Sequence, residues 1–580
     1  MLSVLLKEGD LMLQGYDFEV FKYDWLVVII NPIEERETVI ANDKEKLKNY
    51  YDAHKDQIWV GYNSRNYDQY IMKAILLGFD PYDVNNWIIK EGKKGWEYSS
   101  ELNRIKLYNY DCQNKFNSLK QLEGFMGNNI KETSVPFDIN RKLTDQELAD
   151  TVKYCKHDVE QTLEVFLQTK NEFDAQMALL KTFDLPLSNI GKTQAQLAAI
   201  ILDAKRIDLF DAWDIRMPDT LDLHKYQFVA DWFMNKNNYD ESLSLKCEIA
   251  GVPHVVAWGG LHGALPKYNY TCKNDELLIM ADVDQLYPTL MIRYKLLSRA
   301  VNDYAKFEHI LAESLRLKKE KKKKEREPYK RICNITYGSE GDPYNAMYDP
   351  LHRKLVCVFG QVLMIDLIEK IESICKLIQS NTDGILVLIK EKDFDKLDNI
   401  VYEWEQRTGL HMSFDIFKTI IQKDVNNYIA IDHAGEIKRK GTYVKALNNL
   451  DYDMPIVNKA LVAYMVDGVP VQQTINDCDD LKEFQKIVKV SSKYICGWHN
   501  GKMLQDKTFR VFASTSAKDS FIGKLKDKSH SDLTVEKFAN TPDHCFIWND
   551  YVNGLKVPDF LDKQYYIDVA KKRLEAFGVG

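Results

Sequence analysis

Three short stretches in the second half of the chain carry groups suited to phosphoryl chemistry: Asp282-Val283-Asp284-Gln285-Leu286-Tyr287-Pro288, Lys330-Arg331-Ile332-Cys333-Asn334-Ile335-Thr336-Tyr337-Gly338 and Ser380-Asn381-Thr382-Asp383-Gly384. In that order they offer a carboxylate, a cation with a Tyr-Gly pair, and a second carboxylate in a tight turn. Joining nucleotides requires a hydroxyl of lowered pKa and stabilised charge on both the attacking and leaving oxygens, which two Mg²⁺ ions about 3.5–4 Å apart provide. Mg²⁺ prefers carboxylate and phosphate oxygens, so two aspartates from separate strands complete a cage with the triphosphate of the substrate. Asp282 and Asp383 fit that role.

The flanking residues supply elements able to position these groups. Leu277-Leu278-Ile279-Met280-Ala281 reads as a buried strand with Asp282 at its end. The apolar runs 374–378 and 385–389 flank Asn-Thr-Asp-Gly and predict a β-hairpin with Asp383 at its tip. Lys330, Asn334 and Tyr337 stand at i, i+4 and i+7, one face of a helix, where a cation and an aromatic ring grip a triphosphate and stack on a base. Taken singly, a strand-end Asp is ordinarily a cap or turn former, and Asn-Thr-Asp-Gly an ordinary turn. The ordered set is what carries weight.

That set resembles motifs A, B and C of family B DNA polymerases, which read Asp-x-x-Ser-Leu-Tyr-Pro, Lys-x-x-x-Asn-x-x-Tyr-Gly and Tyr-Gly-Asp-Thr-Asp-Ser. The resemblance implies that Asp282 and Asp383 ligate metal, that Lys330 binds the incoming triphosphate, that Asn334 and Tyr337 line the nascent pair with Gly338 also in the substrate-binding set, and that Tyr287 is a steric gate against a ribose 2′-OH. Three positions depart from the pattern: Gln285 replaces the Ser of motif A, Gly384 the final Ser of motif C, and Asn381 its first Asp. Asn retains a carbonyl oxygen, so activity is expected to survive. Asp284 is either a source of the missing charge or a solvated loop carboxylate.

The first half carries a second ordered set: Tyr16-Asp17-Phe18-Glu19, Asn63-Ser64-Arg65-Asn66-Tyr67-Asp68 and Tyr154-Cys155-Lys156-His157-Asp158. It resembles the Exo I, II and III motifs of DnaQ-like 3′→5′ exonucleases, implying a two-ion site with water as nucleophile, held by Asp17, Glu19, Asp68 and Asp158, with Asn63 binding substrate. Asp17 and Glu19 lie two apart and so face one side of a strand, while Tyr154 lies one helical turn before Asp158 and is placed to orient the water. The stretch from Ser118 to Lys131 resembles a segment that supplies a phosphate-contacting lysine in some phage members, with Lys131 the candidate.

The resemblance implies an α/β and α+β multidomain fold: an RNase H-like exonuclease domain (1–175), a helical connector (176–250), then a right hand of palm (251–300 and 341–445), fingers (301–340) and thumb with the C-terminal region (446–580). Phe307, Ile310, Leu311 and Leu315 recur at helical spacing ahead of the lysine-rich run 318–326 and Pro328, which predicts a helix, a short turn and the motif B helix. Arg316 or Lys318 is expected at the triphosphate, and spacing does not choose between them; most lysines of the run read as a solvated tip. Only about forty residues separate Pro288 from Lys330, too few for the insertion of protein-primed relatives. Ala257-Trp258-Gly259-Gly260 resembles a Tyr-x-Gly-Gly connector between the two activities. Asn426-Asn427-Tyr428 falls where relatives place a primer-contacting Lys-x-Tyr, with Lys438, Lys440 and Tyr443 as substitutes or as edge-strand charges. Arg510 and the lysines of 524–528 face either DNA backbone or solvent. Gly191-Lys192-Thr193 lacks the upstream glycine of a phosphate-binding loop and reads as a helix start.

Composition agrees. The 580 residues are 45% hydrophobic, enough for several cored domains. A net charge of −8 excludes a wholly basic nucleic-acid coat but not a local basic channel. Ten cysteines without a Cys-x-x-Cys pair exclude a zinc ribbon or dithiol redox motif and suit reduced thiols in a cytoplasm. Apolar runs such as 25–30 are too short to span a membrane, and acidic residues within 1–13 do not suit a secretion signal. The expectation is a monomeric DNA-templated DNA polymerase with 3′→5′ proofreading, of the small bacteriophage or prophage type. It would act on primer-template DNA and dNTPs with two Mg²⁺ or Mn²⁺ ions at each site, alongside phage replication proteins in the host bacterial cytoplasm. The alternative is an exonuclease with a non-catalytic polymerase-like DNA-binding half, prompted by Asn381.

Overall fold

The computed structural model describes residues 12–113, 117–527 and 533–579 in a mixed α/β architecture of several separate sheets. Contacts divide it into two compact units: unit 1 comprises Met1–Gly191, Leu447–Val457 and Gln472–Asp568, and unit 2 comprises Lys192–Ala446, Asn458–Val471 and Val569–Gly580. The expected segments 176–250 and 446–580 are therefore each divided between the units. Residues 1–11 and Lys528 lie outside the described residues. No helix among the described residues is long and apolar enough to cross a membrane.

Unit 1 is built on a five-stranded sheet in the order β3-β2-β1-β4-β5, from β1 (Leu13–Val20), β2 (Trp25–Asn31), β3 (Arg36–Ala41), β4 (Ile58–Gly61) and β5 (Tyr108–Asp111). β1 pairs antiparallel with β2 and parallel with β4. Both faces of the sheet are covered, so its central strands are almost wholly buried. Tyr16, Phe18, Val27 and Trp59 pack with Ile71 and Met72 of α1 (Asp68–Leu77) on one side. Leu26 and Val28 meet Cys155, Val159 and Leu163 of α3 (Asp145–Gln168) on the other. Between them in sequence lies the two-turn α2 (Leu119–Met126). A reciprocal capping box of Thr144 and Glu147 starts α3, the helix that carries Tyr154 and Asp158. The C-terminal part of unit 1 adds a three-stranded sheet (Lys486–Lys489, Thr508–Ala513, Cys545–Ile547) and a four-stranded one.

Unit 2 holds a seven-stranded sheet ordered β13-β10-β12-β11-β8-β7-β6. Its strands are β6 (Ser244–Ile249), β7 (Val252–Ala257), β8 (Gly260–Ala264), β10 (Glu276–Val283), β11 (Lys376–Ser380), β12 (Gly384–Lys390) and β13 (Met412–Phe417). A second sheet, β16-β15-β14-β9, is formed by β9 (Asn269–Thr271), β14 (Thr419–Asp424), β15 (Asn427–Ile431) and β16 (Ile437–Lys440). Leu278, Met280, Ile378, Leu386 and Phe417 of the first sheet pack with Ile420, Tyr428 and Ala430 of the second.

Among the helices of unit 2 are α4 (Leu286–Arg293), α5 (Tyr304–Lys319), α6 (Lys323–Glu340), α7 (Pro350–Ile371) and α8 (Phe394–Thr408). The break between α5 and α6 is three residues long, and α6 begins ahead of Pro328, which lies inside the helix rather than before it. Thr193 caps the helix Gln194–Ile201, as its sequence suggested. α7 is buried nearly all round, and at its heart Asp366, 0% exposed, takes both arms of the Arg407 guanidinium at 2.8 Å and the Asp222 N–H at 2.9 Å.

Arg407 and Lys370, which also reaches Asp366 at 3.3 Å, are each about a quarter exposed, so losing Asp366 removes hydrogen bonds to a buried charge, a loss of about 1.5–3 kcal/mol. Asp366→Ala is expected to destabilise by about that amount in urea denaturation; a change under about 1 kcal/mol would contradict this account of α7.

Candidate active sites

In unit 1 the three N-terminal motifs converge. Asp17 and Glu19 leave β1 on the same side, Asp68 stands at the first position of α1, and Asp158 comes from α3. Asp68 accepts the Phe18 N–H at 3.0 Å, which ties the start of α1 to the strand between the two other carboxylates. Cys155, one turn below Asp158 on the inner side of α3, donates to the Asp17 carbonyl at 3.3 Å and lies 3.5 Å from its carboxylate. The metal-binding atoms of Asp17, Glu19 and Cys155 fall within 4.8 Å of one another, as do those of Glu123, His157 and Asp158.

Burial, and then the charge of Asp68, push the Asp17 carboxyl well above its ordinary range; burial followed by Asp158 does the same for Glu19. Asp68 is pushed up to about 7, chiefly by burial. Crowded, desolvated carboxylates of this kind relieve their repulsion by binding a divalent cation, and an oxygen-rich donor set suits Mg²⁺ or Mn²⁺.

Not every expected residue joins this group. Asn63 sits in the left-handed region (φ 59°), its N–H donating to Asp111 at 2.9 Å and its side-chain oxygen accepting from Asn66. Lys131 is exposed, and only its backbone N–H reaches toward the site, to Glu123 at 3.3 Å. The cation at the carboxylates is Lys120, which pairs with Asp158, lies 3.0 Å from Glu123 and stands over the Tyr154 ring at 4.7 Å. Burial opposes its charge, yet Asp158 and Glu123 hold the ammonium above its ordinary pKa. The signal was present: Lys120 and Glu123 are an i, i+3 opposite-charge pair and the only charged residues of the helix.

In unit 2 the antiparallel register sets Asp282 of β10 opposite Gly384 of β12, and the Val283 N–H donates to the Asp383 carbonyl at 2.7 Å. Asp282 at the end of β10 and Asp383 in the turn entering β12 are thus neighbours. A Cβ on residue 384 would lie 2.1 Å from the Asp282 carboxylate, so glycine rather than serine fits there. The β11–β12 turn closes with the Asn381 N–H on the Gly384 carbonyl at 2.7 Å. Against it lies the β7–β8 turn, where a Cβ on Gly260 would meet the Thr382 hydroxyl at 2.6 Å.

A cavity of about 610 Å³ opens beside this turn, lined by Tyr287, Lys330, Asn334, Tyr337, Asn381 and Asp383, with Lys318 and Arg326 adding positive charge. The Tyr287 and Tyr337 rings stand 4.2 Å apart, and both hydroxyls approach the buried Cys357 sulfur, at 3.8 and 2.7 Å. Gly338 faces open space beyond the cavity lining. Arg316 is also outside: it is exposed and held by Glu313 and Glu320 on its own helix. Lys318, one half-turn on, points inward and pairs with Asp284, whose carboxylate also accepts from Ser413 at 3.2 Å. Asp284 is therefore not a solvated loop carboxylate. Gln285, in the left-handed region, donates to Ser314 of α5 at 2.9 Å, a reach that serine lacks.

A second cavity of about 290 Å³ lies on the other side of Asp383, lined by Asp282, Gly384, Tyr428, Lys438 and Lys440. The Lys438 ammonium is 3.9 Å from Asp282 and 3.5 Å from Asp415. Burial raises the Asp282 carboxyl, Lys438 lowers it and Asp383 raises it, for a net upward shift. Arg510 is buried in unit 1 and so faces neither solvent nor a nucleic-acid backbone.

No protein-family model matches the chain, and no curated protein is significantly similar to it. Among solved structures it is similar to the family B DNA polymerase from the hyperthermophilic archaeon Pyrobaculum calidifontis. The TM-score is 0.41 and the identity 14%, over 98% of this chain and 78% of that one. A likeness of this degree leaves the functional assignment to the side chains.

The raised Asp68 carboxyl gives a signed expectation for metal-free protein. Between about pH 4 and about 7 the folded unit holds a proton that the unfolded chain has released, so this stabilisation is full below pH 4 and lost as pH rises through 7. In EDTA, Asp68→Asn should raise Tm at pH 8 and leave it unchanged at pH 4, and Mg²⁺ should raise the wild-type Tm at pH 8. Equal shifts at both pH values would contradict a desolvated, repelled carboxyl at this position.

Proposed function

We propose that the chain is a DNA-templated DNA polymerase with a 3′→5′ exonuclease, unit 2 extending a primer with dNTPs and unit 1 removing 3′-terminal nucleotides. The observation that supports this best is the meeting in one cavity of unit 2 of Asp383, Lys330, Asn334, Tyr337 and Tyr287, beside Asp282 on the adjoining strand. These groups come from three separated stretches, and their joint use is nucleotidyl transfer. The four-carboxylate cluster of unit 1, with Lys120 and Tyr154 against Asp158, supports phosphodiester hydrolysis independently. On this reading residues 1–175 form the exonuclease domain, 251–300 and 341–445 the palm, and 301–340 the fingers.

In polymerisation, Asp282 and Asp383 would hold a pair of divalent ions, which when bound acidify the primer hydroxyl and stabilise charge on the leaving pyrophosphate. Lys330, Arg326 and Lys318 face the triphosphate, Lys318 exchanging Asp284 for phosphate oxygens. Tyr337 and Asn334 line the new base pair. Tyr287, packed against Tyr337 and Cys357, has little room to retreat from a 2′-OH. Lys438 and Lys440 stand where a primer phosphate would approach Asp282. In hydrolysis Asp17, Glu19, Asp68 and Asp158 would hold the ions, Tyr154 orients water, and Lys120 keeps Asp158 in place. A phage setting, a monomeric state and phage replication partners belong to the same proposal.

Primer extension with dNTPs and Mg²⁺ tests it. Asp282→Ala and Asp383→Ala should each abolish incorporation while 3′ degradation persists, and Asp17→Ala the reverse; incorporation undiminished in Asp282→Ala would sink the polymerase assignment. Tyr287→Ala should raise rNTP use relative to dNTP at least tenfold, about 1.4 kcal/mol of discrimination. Asn381, together with the Lys438–Asp282 contact, favours a second reading, a nuclease whose polymerase-like half only binds DNA. Degradation without any incorporation would select it.

A further inference from the structure

We propose that the C-terminal part of unit 1, centred on Arg510, is a positioning element for the hydrolytic site: it fixes α2 so that Lys120 and Glu123 hold Asp158 in its metal-binding place. This inference rests on the exonuclease reading of unit 1.

The contacts form a continuous series. Arg510 is 0% exposed and spends all five donors: Nε on Gln485 at 3.0 Å, Nη1 on the carbonyls of Trp548 at 3.2 Å and Asp550 at 2.5 Å, and Nη2 on the carbonyls of Gly124 at 3.1 Å and Asn128 at 2.7 Å. Burial lowers its pKa to about 10, and the charge is answered by carbonyl dipoles, among them those at the C-terminal end of α2. Neighbouring groups complete the pattern. Gln485 donates to the Phe125 carbonyl at 3.1 Å; Lys482 and Asn553 donate to that of Met126 at 2.9 and 3.0 Å; the Val552 N–H donates to that of Gly127 at 2.9 Å. Each carbonyl from Gly124 to Asn128 thus accepts a hydrogen bond from residues 482–553. These include the end of a helix whose last carbonyls lack intrahelical partners.

A helix of eight residues does not hold its own place, so its position along and about its axis is set by these bonds together with the burial of Leu122, Phe125 and Met126. Glu123, 0% exposed, immediately precedes this run of carbonyls and Lys120 stands one turn back, and through them Asp158 is held. The Glu123 carboxylate also lies 3.5 Å from His157, the residue preceding Asp158. Moving α2 therefore moves the only cation that pairs with Asp158 among the described contacts. The substitution that does least to the rest of the unit is Arg510→Lys, which keeps the charge and reduces five donors to three.

The test uses the full-length protein, with 3′ degradation of a 5′-labelled single strand in Mg²⁺ read as kcat and KM, and primer extension in parallel. A misplacement of this kind is expected to lower the degradation kcat about ten- to a hundredfold in Arg510→Met and Glu123→Gln, less in Arg510→Lys, with KM for DNA and primer extension within twofold of wild type. Backbone hydrogen exchange should quicken over 119–128 in the Arg510 variants and stay unchanged in β1. An undiminished kcat in a variant whose 119–128 exchange has quickened overturns the inference, as does unchanged exchange there. If Arg510→Met loses β1 protection and so unfolds the unit, Arg510→Lys and Gln485→Leu decide by the same criteria. If the wild type degrades no DNA, the exonuclease reading itself has failed. Mn²⁺ affinity in an Asp282→Asn/Asp383→Asn background then decides the placement of Asp158: weaker binding in Arg510→Lys supports it, and equal binding overturns it.

Discussion

Strand register is the constraint on which both sites depend. In unit 2, β10 is paired on both sides, Asp282 standing opposite Gly384 on one flank and Ser413 on the other. A slip of one residue would turn Asp282 toward the face where Ala281 and Val283 are now buried and set Val283 at the site in its place. The missing side chain at 384, the Val283 bond to the Asp383 carbonyl and the closure of the turn at Asn381 all follow from that one alignment. In unit 1, β1 is likewise held between β2 and β4, and the alternation of its residues sets Asp17 and Glu19 toward α3, which bears Asp158, while Asp68 at the first position of α1 is tied to the strand between them.

Carboxylates brought together in this way repel, and in each group a lysine stands against them: Lys120 at Asp158, Lys438 at Asp282 and Lys318 at Asp284. Each lysine comes from an element other than the one bearing its carboxylate. The electrostatic balance of the sites is therefore a property of the tertiary structure, and a substitution at any of these lysines acts on a carboxylate distant in sequence.

This explains what sequence alone could deliver. The strand before Asp282, the hairpin around Asp383 and the helical face of Lys330, Asn334 and Tyr337 were legible because each depends on local periodicity and turn chemistry. The same holds for Asp17 and Glu19. The cations were harder. Lys131 and Arg316 have the right charge in the right neighbourhood, but helix phase and packing, which spacing does not encode at that precision, direct Lys120 and Lys318 inward instead. Arg510 misled most: a lone arginine in a strand normally reads as surface, and only the carbonyls of a helix nearly four hundred residues earlier in the chain explain why it is buried.

The order in which the chain visits its two units has an evolutionary corollary. It enters unit 2 at residue 192, returns to unit 1 for 447–457, leaves again for 458–471, comes back for 472–568 and finishes in unit 2. Neither unit is a contiguous gene segment. A single cut at residue 191 would leave unit 1 without 447–457 and 472–568, so neither unit can be removed or exchanged whole by one deletion.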